Sequence, residues 1–245
     1  MSEKSRTFRL NGKSIDFNPG DTVMAAAMRA DVYIPHLCYH PQYKPHGSCR
    51  LCVVEINGRF VSSCTLPASE DLVVDSESAQ LGEYRKSLLQ MLFVEGNHVC
   101  PGCEKSGNCQ LQALAYRENM LSPHFTHFFP KRPVDASHHE VALDFDRCIL
   151  CELCVRASRD TDGKNLFSIG GRGAKNHLQI NSATGKLGDT DFSIDDAAAK
   201  VCPVGVFLPK HKGYNLPIGK RLYDEQPIDT VGDANRKSVE VAGDE

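Results

Sequence analysis

Residues 95–109 read EGNHVCPGCEKSGNC and hold three cysteines, Cys100, Cys103 and Cys109. Three thiols at this spacing can wrap one metal centre, yet an iron-sulfur centre takes four ligands. The chain has eleven cysteines, and the remaining eight divide the molecule. Cys38, Cys49, Cys52 and Cys64 precede the stretch, and Cys148, Cys151, Cys154 and Cys202 follow it. An odd total argues against a closed disulfide framework, and cysteines two residues apart form chelating loops.

In the first group Cys49 and Cys52 sit on the glycine-bearing turn HGSCRLC, with Cys38 and Cys64 at a distance on either side. Four thiolates near backbone amides suit a [2Fe-2S] cluster, and Gly47 permits the close approach. A structural zinc held by four thiolates competes with this reading. Zinc modules usually show two C-x2-C pairs, whereas here one pair is flanked by two single cysteines after a hairpin and a helix.

The third group is CILCELC, residues 148–154, completed by the remote Cys202-Pro203. Three loop thiols and one distant thiol are the ligand set of a [4Fe-4S] cubane. A two-cluster ferredoxin would place another cysteine four positions after Cys154. That position is Ser158, so this module is expected to hold one cluster.

The middle group then lacks a fourth thiol. His98, separated from Cys100 only by Val99, is the nearest candidate, since a neutral imidazole is a good iron ligand. A histidine that only hydrogen-bonds the cluster is the competing reading. Eleven cysteines and one histidine make three sets of four. CPGC alone also suits a dithiol redox motif, but the βαβ context is missing. His124, His127, His138 and His139 are read as solvated loop residues without a role.

Around these groups, RTFRL and KSIDF joined by Asn11-Gly12 predict a hairpin. PGDTVMAAAMRA predicts a helix capped by Asp21 or Thr22. CVVEI, RFVSSC and DLVVD are further strands, giving a small mixed sheet packed on one helix. Leu81, Tyr84, Leu88, Met91 and Leu92 recur at helical spacing over 79–95, and a second helix is expected from Cys109 to about Asn119. The chain therefore divides into a [2Fe-2S] domain at 1–78, a [4Fe-4S] segment at 79–120, a proline- and histidine-rich linker at 121–140, a [4Fe-4S] module at 141–212 and a polar docking tail at 213–245. Its fold class is α+β.

The 245 residues are 41% hydrophobic with no tryptophan, which suggests several small cores with added stabilisation. The net charge of -3 comes with no basic, aromatic-interleaved stripe, so no nucleic-acid partner is expected. The start is polar and SLLQMLFV is too short for a bilayer span. A cytoplasmic protein without a membrane partner is therefore expected. GGRG at 170–173 lacks dinucleotide spacing and no phosphate loop occurs.

In this order the three cysteine modules resemble the N-terminal part of the complex I iron-sulfur subunit family and of related hydrogenase subunits. The short form NHVCPGCEKSGNCQLQ, with CPVGVFLPKHKGYNLPIGKRLYDEQPI, resembles the small iron-sulfur (diaphorase gamma) subunits of cytoplasmic NAD-reducing [NiFe] hydrogenases. The resemblance implies a β-grasp ferredoxin-like fold for the first domain and a ferredoxin-like fold for the last. It implies a non-catalytic subunit of an oxidoreductase complex, passing single electrons between a flavin/NAD diaphorase subunit and the small and large hydrogenase subunits. FMN, NAD and the Ni-Fe centre would then reside in those partners. An electron-input subunit of an NAD-dependent formate dehydrogenase or of a complex I-like assembly is the alternative within this class, and a zinc-stabilised scaffold the alternative outside it.

Overall fold

The computed structural model describes residues 6–214 and 216–233. Strands β1 (Arg6–Leu10) and β2 (Lys13–Phe17) pair antiparallel. Asn11 and Gly12 between them have φ of 51° and 78°, the left-handed pair that a type I′ turn requires. Alternation puts Phe8, Leu10, Ile15 and Phe17 on one buried face. Helix α1 (Val23–Arg29) lays Val23, Met24, Ala26 and Ala27 in that core. Thr22 is its cap, its hydroxyl accepting from the Ala25 amide at 3.1 Å, whereas Asp21 accepts from Asn18 and pairs with Arg29.

Strands β3 (Val53–Ile56) and β4 (Arg59–Ser62) form a separate hairpin, while β5 (Val73–Val74) runs parallel to β1. The single mixed sheet expected from sequence is thus two sheets, linked by a bridge between Glu55 and Asp75. A β5 of only two residues is too short to carry a full ladder.

Helix α2 (Ala79–Glu95) starts at a Ser78 cap and is followed by α3 (Gln110–Arg117). The expected linker contains β6 (Val134–Asp135), which joins β7 (Val141–Asp144) and β10 (Phe207–Pro209) in the order β10-β7-β6. Helix α4 (Leu153–Asp160), hairpin strands β8 (Phe167–Gly170) and β9 (His177–Ile180), and a one-turn α5 (Ala197–Lys200) complete the third module. His138 is not solvated as its sequence context suggested. It is buried, with Nε2 3.1 Å from the Phe192 carbonyl.

The described part of the tail is not a free polar extension either. The Tyr223 amide donates to the Gly107 carbonyl at 3.0 Å and the Leu222 amide to Asn108 at 2.8 Å. Short helix α6 (Ile228–Val231) buries Ile228 completely, and Asp233 meets His36 at 2.7 Å with both side chains out of solvent. Burial alone would push His36 down, but the Asp233 carboxylate prevails and holds the imidazole up at about 9. Residues 234–245 of the expected docking tail lie outside the described residues.

Two hydrophobic cores result. One gathers β1, β2, α1 and β5 with Val54 of β3, Cys52 and Cys64; the other joins the loop bearing Tyr33, Leu37, Cys38 and Leu51 to helices α2–α4 and the β7–β10 region. Among the described residues no helix is long and apolar enough to cross a membrane.

Candidate metal centres

The first cysteine group lies on the seam between these cores: Cys38 belongs to one, Cys52 and Cys64 to the other. Its thiols are arranged as two close pairs. The Cys49 thiol lies against Cys38 and lowers it, and the Cys64 thiol does the same for Cys52. The same two contacts push Cys49 and Cys64 upward. Two pairs, each able to bind one iron, fit a two-iron cluster. The Cys49 amide also points at Cys38 Sγ, at 3.4 Å. Gly47 supports this turn at φ 75°, where a Cβ would come within 3.2 Å of the Thr65 methyl.

Arg85, on α2 and 1% exposed, donates to the carbonyls of Leu51 and Val53, at 3.1 and 2.9 Å, on either side of Cys52. It donates to the Ser76 carbonyl as well. The cation thus braces the thiol loop from outside the first module.

Cys100, Cys103, Cys109 and His98 line one cavity of 180 Å³, walled by Phe93, Arg147, Val204 and Gly205. A single bound water needs roughly 10–15 Å³ of such space, so the cavity has room for many atoms. His98 Nε2 is shielded from solvent and has no hydrogen-bond partner among the described residues. Burial, reinforced by Arg132 and Arg147, lowers the imidazole to about 4, so the ring is neutral and has a lone pair available. A neutral imidazole and three thiols lining one cavity are the donor set that an iron-sulfur cluster with one histidine ligand requires. Gly96 makes room for the ring, since a Cβ there would come within 2.6 Å of Nε2. Arg147 Nη1 donates to Cys103 Sγ at 3.3 Å. Burial raises Cys100, and raises Cys109 to about 12, so binding metal there must release protons.

Cys148, Cys151, Cys154 and Cys202 also line one pocket, leaving 10 Å³ free between apolar walls that include Ile149, Leu178, Val206 and Phe207. Burial pushes Cys148 up to about 11 and the other three upward as well. Leu150 and Glu152 take positive φ, 54° and 58°, curling the loop so that its thiols face one side. Arg132 donates to the Cys148 carbonyl at 3.1 Å. Val204 lines both this pocket and the middle cavity, and the Gln110 amide bonds the Pro203 carbonyl across them at 3.0 Å.

The structure therefore brings all twelve sequence-derived candidates into three groups of four. Among the described residues no three His, Cys, Asp or Glu side chains are gathered tightly enough to hold a single ion. Ser158, buried, uses its hydroxyl to accept from the Leu166 amide at 2.9 Å, and so serves the fold. Sequence reasoning missed Arg85, Arg132, Arg147 and Arg156, because an arginine in a helix or loop reads as surface charge until its carbonyl partners are known.

Comparison with known proteins gives three successive family matches. Residues 3–79 match the 2Fe-2S iron-sulfur cluster binding domain. Residues 85–124 match the NADH-ubiquinone oxidoreductase-G iron-sulfur binding region, and residues 139–208 the ferredoxin-like domain of NADH-quinone oxidoreductase subunit 3. The chain is 40% identical over 220 residues to the gamma chain of the NAD-reducing hydrogenase HoxS of Cupriavidus necator, covering 89% of this chain and 93% of that one. It is 30% identical over 205 residues to the mitochondrial NADH-ubiquinone oxidoreductase 78 kDa subunit of Candida albicans, over 82% of this chain but 28% of that protein. A chain in a crystal structure of NAD+-reducing [NiFe]-hydrogenase in the H2-reduced state superposes with a TM-score of 0.91 at 54% identity, covering 95% of this chain and 99% of that one.

Proposed function

Because this chain belongs to the gamma-subunit family of NAD-reducing hydrogenases, we propose that it relays single electrons between a flavin/NAD(H) diaphorase subunit and a [NiFe] hydrogenase module. In this reading Cys38, Cys49, Cys52 and Cys64 hold a [2Fe-2S] cluster. His98, Cys100, Cys103 and Cys109 hold one [4Fe-4S] cluster, and Cys148, Cys151, Cys154 and Cys202 another. When bound, such clusters supply one-electron redox centres whose potentials follow ligand identity, charge and hydrogen bonding.

The observation that carries the reading is the adjacency of the three donor groups. The middle and third groups share Val204 as a wall, and the first and third share a buried arginine. The chain's own work is to hold the donors, exclude water with Leu, Val and Phe side chains, and aim N–H donors at the thiol loops. A neutral histidine in place of a thiolate makes the middle centre less negative, which raises its potential relative to an all-cysteine one, as in Rieske centres.

The test is a metal profile of the complex that co-purifies with this chain without oxygen. Nickel together with iron, matching one two-iron and two four-iron clusters in this subunit, supports the assignment. Iron with molybdenum and no nickel would move the chain to a formate dehydrogenase assembly, iron with neither to a complex I-like one, and zinc in place of iron would end the electron-transfer account.

A further inference from the structure

Arg156 sits on α4 two residues after Cys154 and is 5% exposed. Its guanidinium is satisfied by four backbone carbonyls: Glu152 at 3.2 Å, Lys44 at 3.0 Å, Cys38 at 2.7 Å and Cys151 at 3.0 Å. The last two bonds come from the same nitrogen, Nη2. One atom therefore ties the backbone of a first-group cysteine to that of a third-group cysteine 113 positions away. The neighbouring contact between the Tyr43 and Thr161 hydroxyls, at 3.0 Å, fastens the same two segments.

A buried cation is costly unless negative charge or dipoles compensate it. Carbonyl dipoles supply part of that compensation here. Arg156 makes no side-chain ion pair among the described residues, and the exposed Asp160 carboxylate feels its charge only from a distance, so negative charge added at the cysteine groups on its two sides would be stabilised by it as well. Arginine remains protonated throughout, so its charge is fixed.

We propose that Arg156 is a positioning residue shared by the first and third centres, fixing their separation and setting both potentials together; this rests on the three-cluster reading. An electron passing between the two oxidises one centre by one unit and reduces the other by one, with no bond or proton changing hands. Either reduced centre carries extra negative charge that the shared guanidinium stabilises. Removing the charge makes both harder to reduce, while the middle centre, which faces Arg147 instead, keeps its potential.

The experiment is an EPR-monitored redox titration of the intact complex carrying Arg156→Gln or Arg156→Lys, with iron counted in each. Three iron-sulfur signals in the unmodified complex are the precondition, and their absence sinks the three-cluster reading itself. With those signals present, Arg156→Gln should shift the first and third centres together to more negative potential, by on the order of tenfold in the reduction equilibrium, or about 59 mV for one electron. Arg156→Lys, which keeps the charge and loses the fork, should hold both potentials near their original values while lowering thermal stability. A shift in only one of the two, an equal shift in the middle centre, or no shift overturns the proposal. If Arg156→Gln does not retain both centres, Arg156→Lys decides: lowered thermal stability with both centres kept at unshifted potentials upholds the role, and unchanged stability or shifted potentials overturn it.

Discussion

Arg147 reaches across 44 positions of sequence to place Nη1 3.3 Å from the sulfur of Cys103. It is held there by Glu104 and Asp144, each at 2.7 Å. A hydrogen bond that involves a charged group contributes about 1.5–3 kcal/mol, and here the charged partner is the guanidinium. Arg147→Gln is expected to shift only the middle centre to more negative potential in an EPR titration. An unshifted middle signal would show that the contact has no electronic consequence.

His98→Ala should remove or transform the middle signal and spare the other two. His98→Cys should keep the iron but lower that centre's potential, since a thiolate adds negative charge. Retention of an unaltered middle spectrum in the alanine variant would remove His98 from the ligand set.

Ser158→Cys should leave the iron content unchanged, because position 158 faces the Leu166 amide and not the thiol pocket. Ser158→Ala leaves that amide unpaired and should cost about 1–3 kcal/mol in chemical unfolding. Additional iron in the cysteine variant would contradict the single-cluster reading of the third module.

Asp233→Asn removes the carboxylate facing buried His36. Breaking a buried pair by deleting one partner costs about 3–5 kcal/mol, and here less, because the imidazole can shed its proton. Earlier thermal unfolding and faster proteolysis of the 221–233 segment are expected. Wild-type resistance would mean that Ile228 and the Leu222 and Tyr223 contacts hold the strap without the carboxylate.

Asp135 accepts from the Leu187 amide at 2.7 Å and the Ser137 amide at 2.9 Å. Burial pushes its carboxyl up, but these amides prevail and leave it below its ordinary 3.8. A carboxyl lowered on folding adds stability that is complete above the unfolded value and disappears as pH falls through the folded one. The stability gap between the native chain and Asp135→Asn, read from urea midpoints, should be widest above pH ~4 and close below it. A gap that persists at lower pH would assign the effect to packing.

Much of this was legible in the residues themselves. Asn11-Gly12 announced its turn, and helical spacing over 79–95 announced α2, although Tyr84 and Met91 of the expected apolar face are exposed and Arg85 and Gln90 are buried in their place; the C-x2-C spacings announced the three cysteine loops. Those signals are local, and local geometry decides them. His138 was misread because its partner, the Phe192 carbonyl, lies 54 residues away. The arginines were passed over for the same reason. Arg85 and Arg156 are buried by carbonyls that only the folded loops present, and no periodicity marks such an acceptor. The strap from 221 to 233 has no strong pattern because scattered polar contacts and the single buried Ile228, not one apolar face, hold it.

Arg85 sits on α2 and Arg156 on α4, yet both brace the loops bearing Cys38 and Cys52. The first module therefore does not own its scaffold. Cut out after residue 78 and transplanted as a free-standing electron carrier, it would lose both guanidinium groups and expose carbonyls that had been solvated by them. Gene-level shuffling of such modules must carry the neighbouring helices along, and an engineer borrowing this ferredoxin unit should begin by rebuilding those two donors.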